Sequence, residues 1–467
     1  LAPDGGLYMP ESLPSFHWQS CLEKDFYGMA TQILAAFLPD IPNMEELVKR
    51  AYTGKFETDE LTPTVSVGDR YVLELFRGPT SAFKDVALCM LPQLLTAAKK
   101  EKGMEEDILI LTATSGDTGK AALEGFHDVP GTRIIVFYPH GGVSPVQQAQ
   151  MTTQVGSNVC VCAVRGNFDD AQTGVKNIFA SAENGRLPAG NRLRLSTANS
   201  INIGRLAPQI MYYFRAYRDL LDAGKIQLGD TVNFSVPTGN FGDILAGYLA
   251  KKSGLPVDKL ICASNENNVL SDFLRTGVYD RNRKFHLTDS PSMDILISSN
   301  LERLLFMLSE GNDIVVRNWM EQLKKTGKYD VGPNVLAKLK EEGFVGYWCN
   351  DDQTEVTVHD TWFAKGYLSD THTGVAVNAL EQYTKETGDQ TPCVVVSTAS
   401  PFKFAPAILP AMDLDFEGTD FQMLEAMEIV SCMPAPKALT GLKNKEVRFD
   451  KVIEKDAMKQ EVLDWLK

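Results

Sequence analysis

The chain has 467 residues, 44% hydrophobic and 23% charged, with 36 glycines and 23 prolines, the composition of a globular protein with room for about three domains of roughly 150 residues. Its formal net charge of -14 argues against nucleic acid or an anionic membrane surface as a general partner, so an anionic ligand would need a local basic pocket. No run approaches the roughly 18 apolar residues of a membrane helix.

Residues 1 to about 60 open with the Gly/Pro-rich "LAPDGGLYMPESLP", followed by helical patterns around 25–37 and 43–53. From Tyr71 onward, "YVLELF", "ILILT", "RIIVFY", "VCVCAV", "TVNFSV", "LICAS" and "PCVVVS" alternate with helix-length segments. Continuous apolar runs of this kind are expected of strands buried on both faces of a parallel sheet, so the fold class is α/β. Residues 290–350 break the rhythm with a charged, mostly helical stretch that reads as an inserted helical layer. The expected organisation is an N-terminal segment (1–65), a larger unit (66–107 and 200–467, with the insertion at about 290–350) and a smaller unit (108–199). Neither a repeat nor a Walker A loop is present.

A lysine stands where helix electrostatics disfavours one. In "GPTSAFKDVALCMLPQLL", residues 78–95, the first four residues read as a turn and the apolar run from Val86 as a mostly buried helix. Lys84 then falls in or just before the first helical turn, at the positive pole of the dipole, where Asp85 is welcome and a cation is not. Pro92 predicts a kink in that helix.

Three further strand-to-helix junctions carry small, hydroxyl or basic residues: Ser115, Gly116, Asp117, Thr118 and Gly119 after "ILILT"; Gly239, Asn240, Phe241 and Gly242 after "TVNFSV"; and Thr398, Ser400 and Lys403 after "CVVVS". Open α/β sheets bind ligands at the carboxyl ends of their strands, where helix N-termini offer free N–H groups to phosphate or carboxylate. One such loop is commonly just a tight turn; three at one sheet edge point to a ligand with several anionic groups. A buried lysine beside a positive dipole loses part of its preference for the proton, and a neutral amine is what Schiff-base chemistry requires. Pyridoxal 5'-phosphate is the cofactor these features suggest.

The eight cysteines, at 21, 89, 160, 162, 262, 349, 393 and 432, form no CxxC pair and have no histidines at metal-ligand spacing beside them. They read as reduced residues packed in apolar stretches, in a cytoplasmic setting, with no metal site. Cys160 and Cys162 would share one face of a strand. The first residue is Leu1 rather than Met, which leaves room for a removed targeting segment.

These motifs resemble those of threonine synthases, pyridoxal-phosphate enzymes of fold type II. "GPTSAFKD" is similar to the family's Schiff-base lysine motif, "TSGDTG" to its substrate-carboxylate loop and "VPTGNFGDILAGY" to its cofactor-phosphate loop. "LAPDGGLYMP", "NSINIGRLAPQIMYYF" and "MDILISSNLERLLF" also resemble family segments, in the family's order, so the likeness runs to about Phe404. The long insertion is similar to the bacterial and fungal branch rather than the plant one.

The resemblance implies that Lys84 forms the Schiff base and then shuttles protons. It implies that Gly239, Asn240, Phe241, Gly242 and Asp243 hold the cofactor phosphate and that Thr398 faces the pyridine nitrogen, its hydroxyl keeping the ring neutral. Ser115, Gly116, Asp117 and Thr118 would grip the substrate α-carboxylate. Asn202, Arg205 and Lys403 are candidates for the substrate phosphate, with ordinary helix-capping surface charges as the plainer reading. The implied reaction converts O-phospho-L-homoserine and water to L-threonine and phosphate. The motifs would equally serve a phospholyase of the same fold, giving 2-oxobutyrate, ammonia and phosphate, and a non-catalytic cofactor-binding relative would keep the fold. Ser400 departs from the pattern, since the family commonly has histidine there, which puts neighbouring substrate contacts in doubt. His372, in "SDTHTGVAV", reads as a structural histidine with a case for more. Monomer and homodimer both remain open.

Overall fold

Each of the seven apolar runs forms a strand in the computed structural model, which describes residues 5–182, 185–187 and 193–467. Residues 1–4 of the opening segment lie outside the described residues. The strands are β1 (Thr64–Val67), β2 (Arg70–Glu74), β3 (Asp107–Ala113), β4 (Thr132–Pro139), β5 (Val159–Arg165), β6 (Leu193–Ser196), β7 (Val232–Pro237), β8 (Val257–Ser264), β9 (Val278–Asp280), β10 (Lys328–Asp330), β11 (Phe344–Trp348), β12 (Cys393–Ser397) and β13 (Val452–Glu454).

Two sheets organise the chain. The larger has the order β1-β2-β12-β7-β8-β11, parallel except for the β1–β2 pair, and the smaller is all parallel in the order β13-β5-β4-β3-β6. In β12, Val394 and Val396 enter one apolar cluster and Val395 the other. In β3, Leu109 and Leu111 face one cluster while Ile108 and Ile110 face another. Successive side chains alternate between faces, so only a strand covered by helices on both sides tolerates an unbroken apolar run. No helix among the described residues is long and apolar enough to cross a membrane.

The Lys84–Glu101 helix joins the two units. Val86, Cys89, Met90 and Leu94 pack into the larger core, and Leu88 and Leu91 into the smaller. Its first residue therefore lies at the boundary between them. The helix continues through Pro92. Proline has no N–H to give the Leu88 carbonyl. A Cβ on Gly125 would lie 2.0 Å from that oxygen, so the freed carbonyl faces the bare Cα of Gly125 in the Asp117–Phe126 helix.

Two sequence boundaries differ in the structure. The 200–467 segment was expected wholly in the larger unit, but β13 pairs with β5, and Met458 and Val462 join the smaller unit's core. The 290–350 stretch is helical at Leu301–Leu308, Asp313–Thr326 and Gly332–Glu341, yet it also supplies β10 and the edge strand β11. The helices Phe26–Phe37 and Met44–Tyr52 pack into the larger core, and the Tyr52 hydroxyl donates to the Val86 carbonyl at 2.7 Å.

Candidate active site

Lys84 is the first residue of its helix, only 8% exposed, and is positioned by the turn before it. Asp85 folds back to accept from the Thr80 N–H (2.8 Å) and hydroxyl (2.6 Å). A Cβ on Gly78 would meet the Asp85 carboxylate at 2.5 Å, which is why that turn needs glycine. The Phe83 N–H donates to Thr398 O at 2.8 Å and the Ser400 N–H to Ser81 O at 3.1 Å. These two bonds lash the lysine turn to the end of β12.

Burial lowers the Lys84 amine from its ordinary 10.5 to about 8; Asp117 opposes this and the Arg205 and Lys403 cations add to it. Lys84 Nζ lies 3.7 Å from Asp117 Oδ2, 3.3 Å from Ser292 Oγ and 5.5 Å from the Phe83 ring centroid. Burial alone would raise the Asp117 carboxyl, but the Lys403 and Lys84 ammonium groups hold it well below the carboxylate range. Lys403 Nζ stands 2.5 Å from Asp117 Oδ1 and 3.1 Å from Thr80 O.

The Gly239–Gly242 loop turns its carbonyls outward. Ser298 Oγ donates to Gly239 O at 2.8 Å, and the Asn300 N–H and side-chain amide both donate to Asn240 O at 3.0 Å. No protein acceptor among the described residues takes the N–H groups of Gly239, Asn240, Phe241 or Gly242. Phe241 has φ 62° and caps the Gly242–Lys252 helix without a side-chain bond, its strain held by a ring packed on Phe344 at 5.9 Å. A Cβ on Gly239 would strike Ser292 O at 2.7 Å. This cradle of free N–H groups fits a phosphate. The Asp243 side chain turns away into Tyr212 (2.6 Å) and Tyr213 (2.8 Å), and burial pushes its carboxyl up to about 6. Only its backbone can face an anion.

The second loop repeats the logic. Thr114 Oγ1 accepts from the N–H groups of Gly116 (3.0 Å) and Gly119 (2.9 Å), while those of Asp117 and Thr118 have no acceptor among the described residues. Gly116 has φ 139°, and a Cβ there would lie 2.4 Å from the Gln147 side chain. Gln147 in turn donates to Asp117 Oδ1 at 3.0 Å. Ser115 and Thr118 remain half-buried.

The three candidates for the substrate phosphate fare differently. Arg205 is 5% exposed, donates to Ala198 O at 2.9 Å and has no carboxylate within ion-pair distance among the described residues. Burial pushes its guanidinium down to about 10. A buried guanidinium is costly unless it is paired, which keeps Arg205 a candidate for an anion. Lys403, by contrast, is committed to Asp117. Asn202 engages both ends of its amide locally, donating to Thr197 O and accepting from the Gly204 N–H, each at 3.0 Å, and so caps the helix that carries Arg205.

Comparison with known proteins bears on the whole chain. Residues 1–52 match the family "Threonine synthase N terminus" and residues 373–462 "Threonine synthase, C-terminal". The threonine synthase of Saccharomyces cerevisiae is 38% identical over 446 residues, covering 88% of this chain and 85% of that one. The chain belongs to the threonine synthase family. The Pseudomonas aeruginosa threonine synthase is 40% identical over 418 residues, 87% of this chain and 85% of its own length. Solved threonine synthases from yeast (TM-score 0.87, 35% identity) and from Brucella melitensis with PLP bound (TM-score 0.86, 36% identity) each match 100% of this chain and 94% of their own. Human threonine synthase-like 1 is 37% identical over 89% of this chain, which spans 57% of that protein.

Within this threonine synthase fold, several residues of the site escaped sequence reasoning. Ser292, Gln147, Asn300 and Asp370 hold loops or charges in place, yet single polar residues at turns and helix starts carry no periodic signal. Asp370 was signalled only by its place two residues before His372. Away from the site, Cys160 and Cys162 have Sγ atoms 4.0 Å apart and Glu461 Oε1 reaches Cys162 at 3.7 Å, but Lys451 already pairs with that carboxylate at 2.5 Å.

Proposed function

We propose that the chain is a threonine synthase using pyridoxal 5'-phosphate to convert O-phospho-L-homoserine and water to L-threonine and phosphate. The observation that carries this reading is the buried Lys84 amine, lowered to about 8, beside one cradle of free N–H groups, a second such helix start and the uncountered Arg205.

Lys84 would bind the cofactor, with Gly239, Asn240, Phe241 and Gly242 on its phosphate and Thr398 at the ring nitrogen; the Thr398 hydroxyl has no hydrogen bond within the protein among the described residues. When bound, the cofactor supplies an electron sink that acidifies the substrate's α and β carbon–hydrogen bonds. The chain's residues do the rest. The N–H groups of Asp117 and Thr118 orient the α-carboxylate, Arg205 holds the phosphate that departs from the γ-carbon, and Lys84 Nζ, once exchanged for the substrate amine, takes and returns protons at the α and β carbons. Asp117 does not touch the α-carboxylate through its own carboxylate, which would repel it. It holds the two lysines.

Incubating the purified protein with O-phospho-L-homoserine and pyridoxal phosphate tests the reading. Threonine and phosphate in equal amounts support it, whereas 2-oxobutyrate with ammonia as main products would make the chain a phospholyase. Lys84→Ala should abolish both turnover and the visible absorbance of the lysine-linked cofactor; colourless wild-type protein indifferent to added cofactor would mark a non-catalytic relative.

A further inference from the structure

We propose that Ser292 orients the Lys84 amine, and that Asp370 and His372 are positioning residues that hold Ser292 in place; the inference rests on Lys84 being the cofactor lysine. Asp370 is fully buried at the start of the Thr371–Thr387 helix and accepts from the N–H groups of His372 (3.0 Å) and Thr373 (3.2 Å), from the Thr373 hydroxyl and from His372 Nδ1 (2.7 Å). A carboxylate oxygen can only accept, so Nδ1 is the donor, and Nε2, which faces a backbone N–H, presents its lone pair. That lone pair accepts the Ser292 N–H at 3.2 Å.

The ring is locked from the other side as well. It is 2% exposed and packs on Phe404 with centroids 5.0 Å apart. One residue earlier, Thr371 Oγ1 donates to Asp289 O at 2.6 Å. Two adjacent residues at one helix start thus tether the 289–292 segment. Ser292 delivers the result in two directions: its hydroxyl accepts from Lys84 Nζ at 3.3 Å, and its carbonyl presses on the bare Cα of Gly239 in the phosphate cradle. A flexible amine that must return to the same place after each exchange gains a fixed partner there, and misplacement by about 1 Å can cost roughly a hundredfold in rate.

The other groups facing Lys84 are Asp117, the Phe83 ring and, at longer range, Arg205 and Lys403. Against that constant background, losing the Ser292 acceptor withdraws one partner from the protonated amine. In holoenzyme, Ser292→Ala should lower kcat by about tenfold to a hundredfold with KM little changed; in the apoprotein it should move the pH midpoint for reaction of the Lys84 amine with added pyridoxal phosphate downward. Ser292→Thr should restore both. His372→Leu should reproduce the loss, and His372→Gln, whose amide oxygen can accept the Ser292 N–H, should recover much of it. Thermal melting and cofactor content identify variants that fail to fold, and the His372 pair then decides. Wild-type kcat and midpoint in Ser292→Ala, or equal behaviour of His372→Leu and His372→Gln, would overturn the proposal. Visible absorbance retained in Ser292→Ala but absent in Lys84→Ala separates failure of this inference from failure of the cofactor reading.

Discussion

Lys403 Nζ and Asp117 Oδ1 stand 2.5 Å apart, with side chains 0% and 3% exposed. Lys403 follows β12 of the larger sheet and Asp117 starts the helix after β3 of the smaller, so the pair fastens the two units beside Lys84. Removing one member of a buried pair leaves an uncompensated charge and costs on the order of 3 kcal/mol. Lys403→Met should therefore lower the melting temperature, while Lys403→Met combined with Asp117→Asn should recover most of the loss; additive losses would show that the pair is not coupled.

The same pair acts on Lys84 with opposite signs. The apoprotein should attach pyridoxal phosphate at a rate that rises with pH around a midpoint of about 8, because the neutral amine is the nucleophile and burial has lowered it from 10.5. Asp117 stabilises the protonated amine, so Asp117→Asn should move the midpoint down. Lys403 repels it, so Lys403→Met should move the midpoint up. Stopped-flow absorbance across pH reads all three.

Arg205 should separate substrate binding from cofactor binding. Losing a buried charge-assisted contact to phosphate is worth about 1.5 to 3 kcal/mol, which is roughly a tenfold to hundredfold fall in kcat/KM for Arg205→Ala. Cofactor content should remain, and inhibition by inorganic phosphate should weaken in parallel. A variant with normal phosphate inhibition would assign the substrate phosphate elsewhere.

Lys84 is a burden on the apoprotein. A lysine held at about 8 instead of 10.5 costs roughly 3 kcal/mol at neutral pH. The unfolded chain binds the extra proton between those two values, so the cost is full below about 8 and fades as pH rises through 10.5. Lys84→Met should melt higher than wild-type apoprotein at pH 7, with the gap closing toward pH 10; melting curves at both pH values check the sign.

Gly239 and Gly125 should fail in different ways on substitution by alanine. At Gly239 the new Cβ would strike Ser292 O at 2.7 Å, at the cradle, so cofactor affinity should fall while the fold survives. At Gly125 it would meet Leu88 O at 2.0 Å, in the seam between two helices, so melting temperature should fall by several degrees, as expected for about 2 kcal/mol of overpacking, with cofactor affinity kept. Titration with pyridoxal phosphate and thermal melts on both variants distinguish the two outcomes.

All seven two-faced strands were legible because an apolar run bounded by turn residues has few other uses. The short strands β9, β10 and β13 were not, being three residues each, too brief to show any period. Lys84, Gly239 and Thr398 were legible as candidates because each sits at a strand or helix end marked by glycine, proline or hydroxyl residues. Asn202, Arg205 and Lys403 stood level as basic or polar candidates, and nothing local could rank them. Their partners lie at Thr197, Ala198 and Asp117, and for Lys403 that partner is far away in sequence.

By itself the sequence determined the α/β class, the order of the glycine- and hydroxyl-rich loops and the lysine among them, since strand periodicity, turn residues and helix starts are local properties. Only the tertiary structure decided which charges are paired. It bound Lys403 to Asp117, left Arg205 without a carboxylate and placed Ser292 between Lys84 and His372. The reason is physical: the state of a buried charge depends on the atoms within a few ångströms of it, and in a doubly wound chain those atoms arrive from segments hundreds of residues apart.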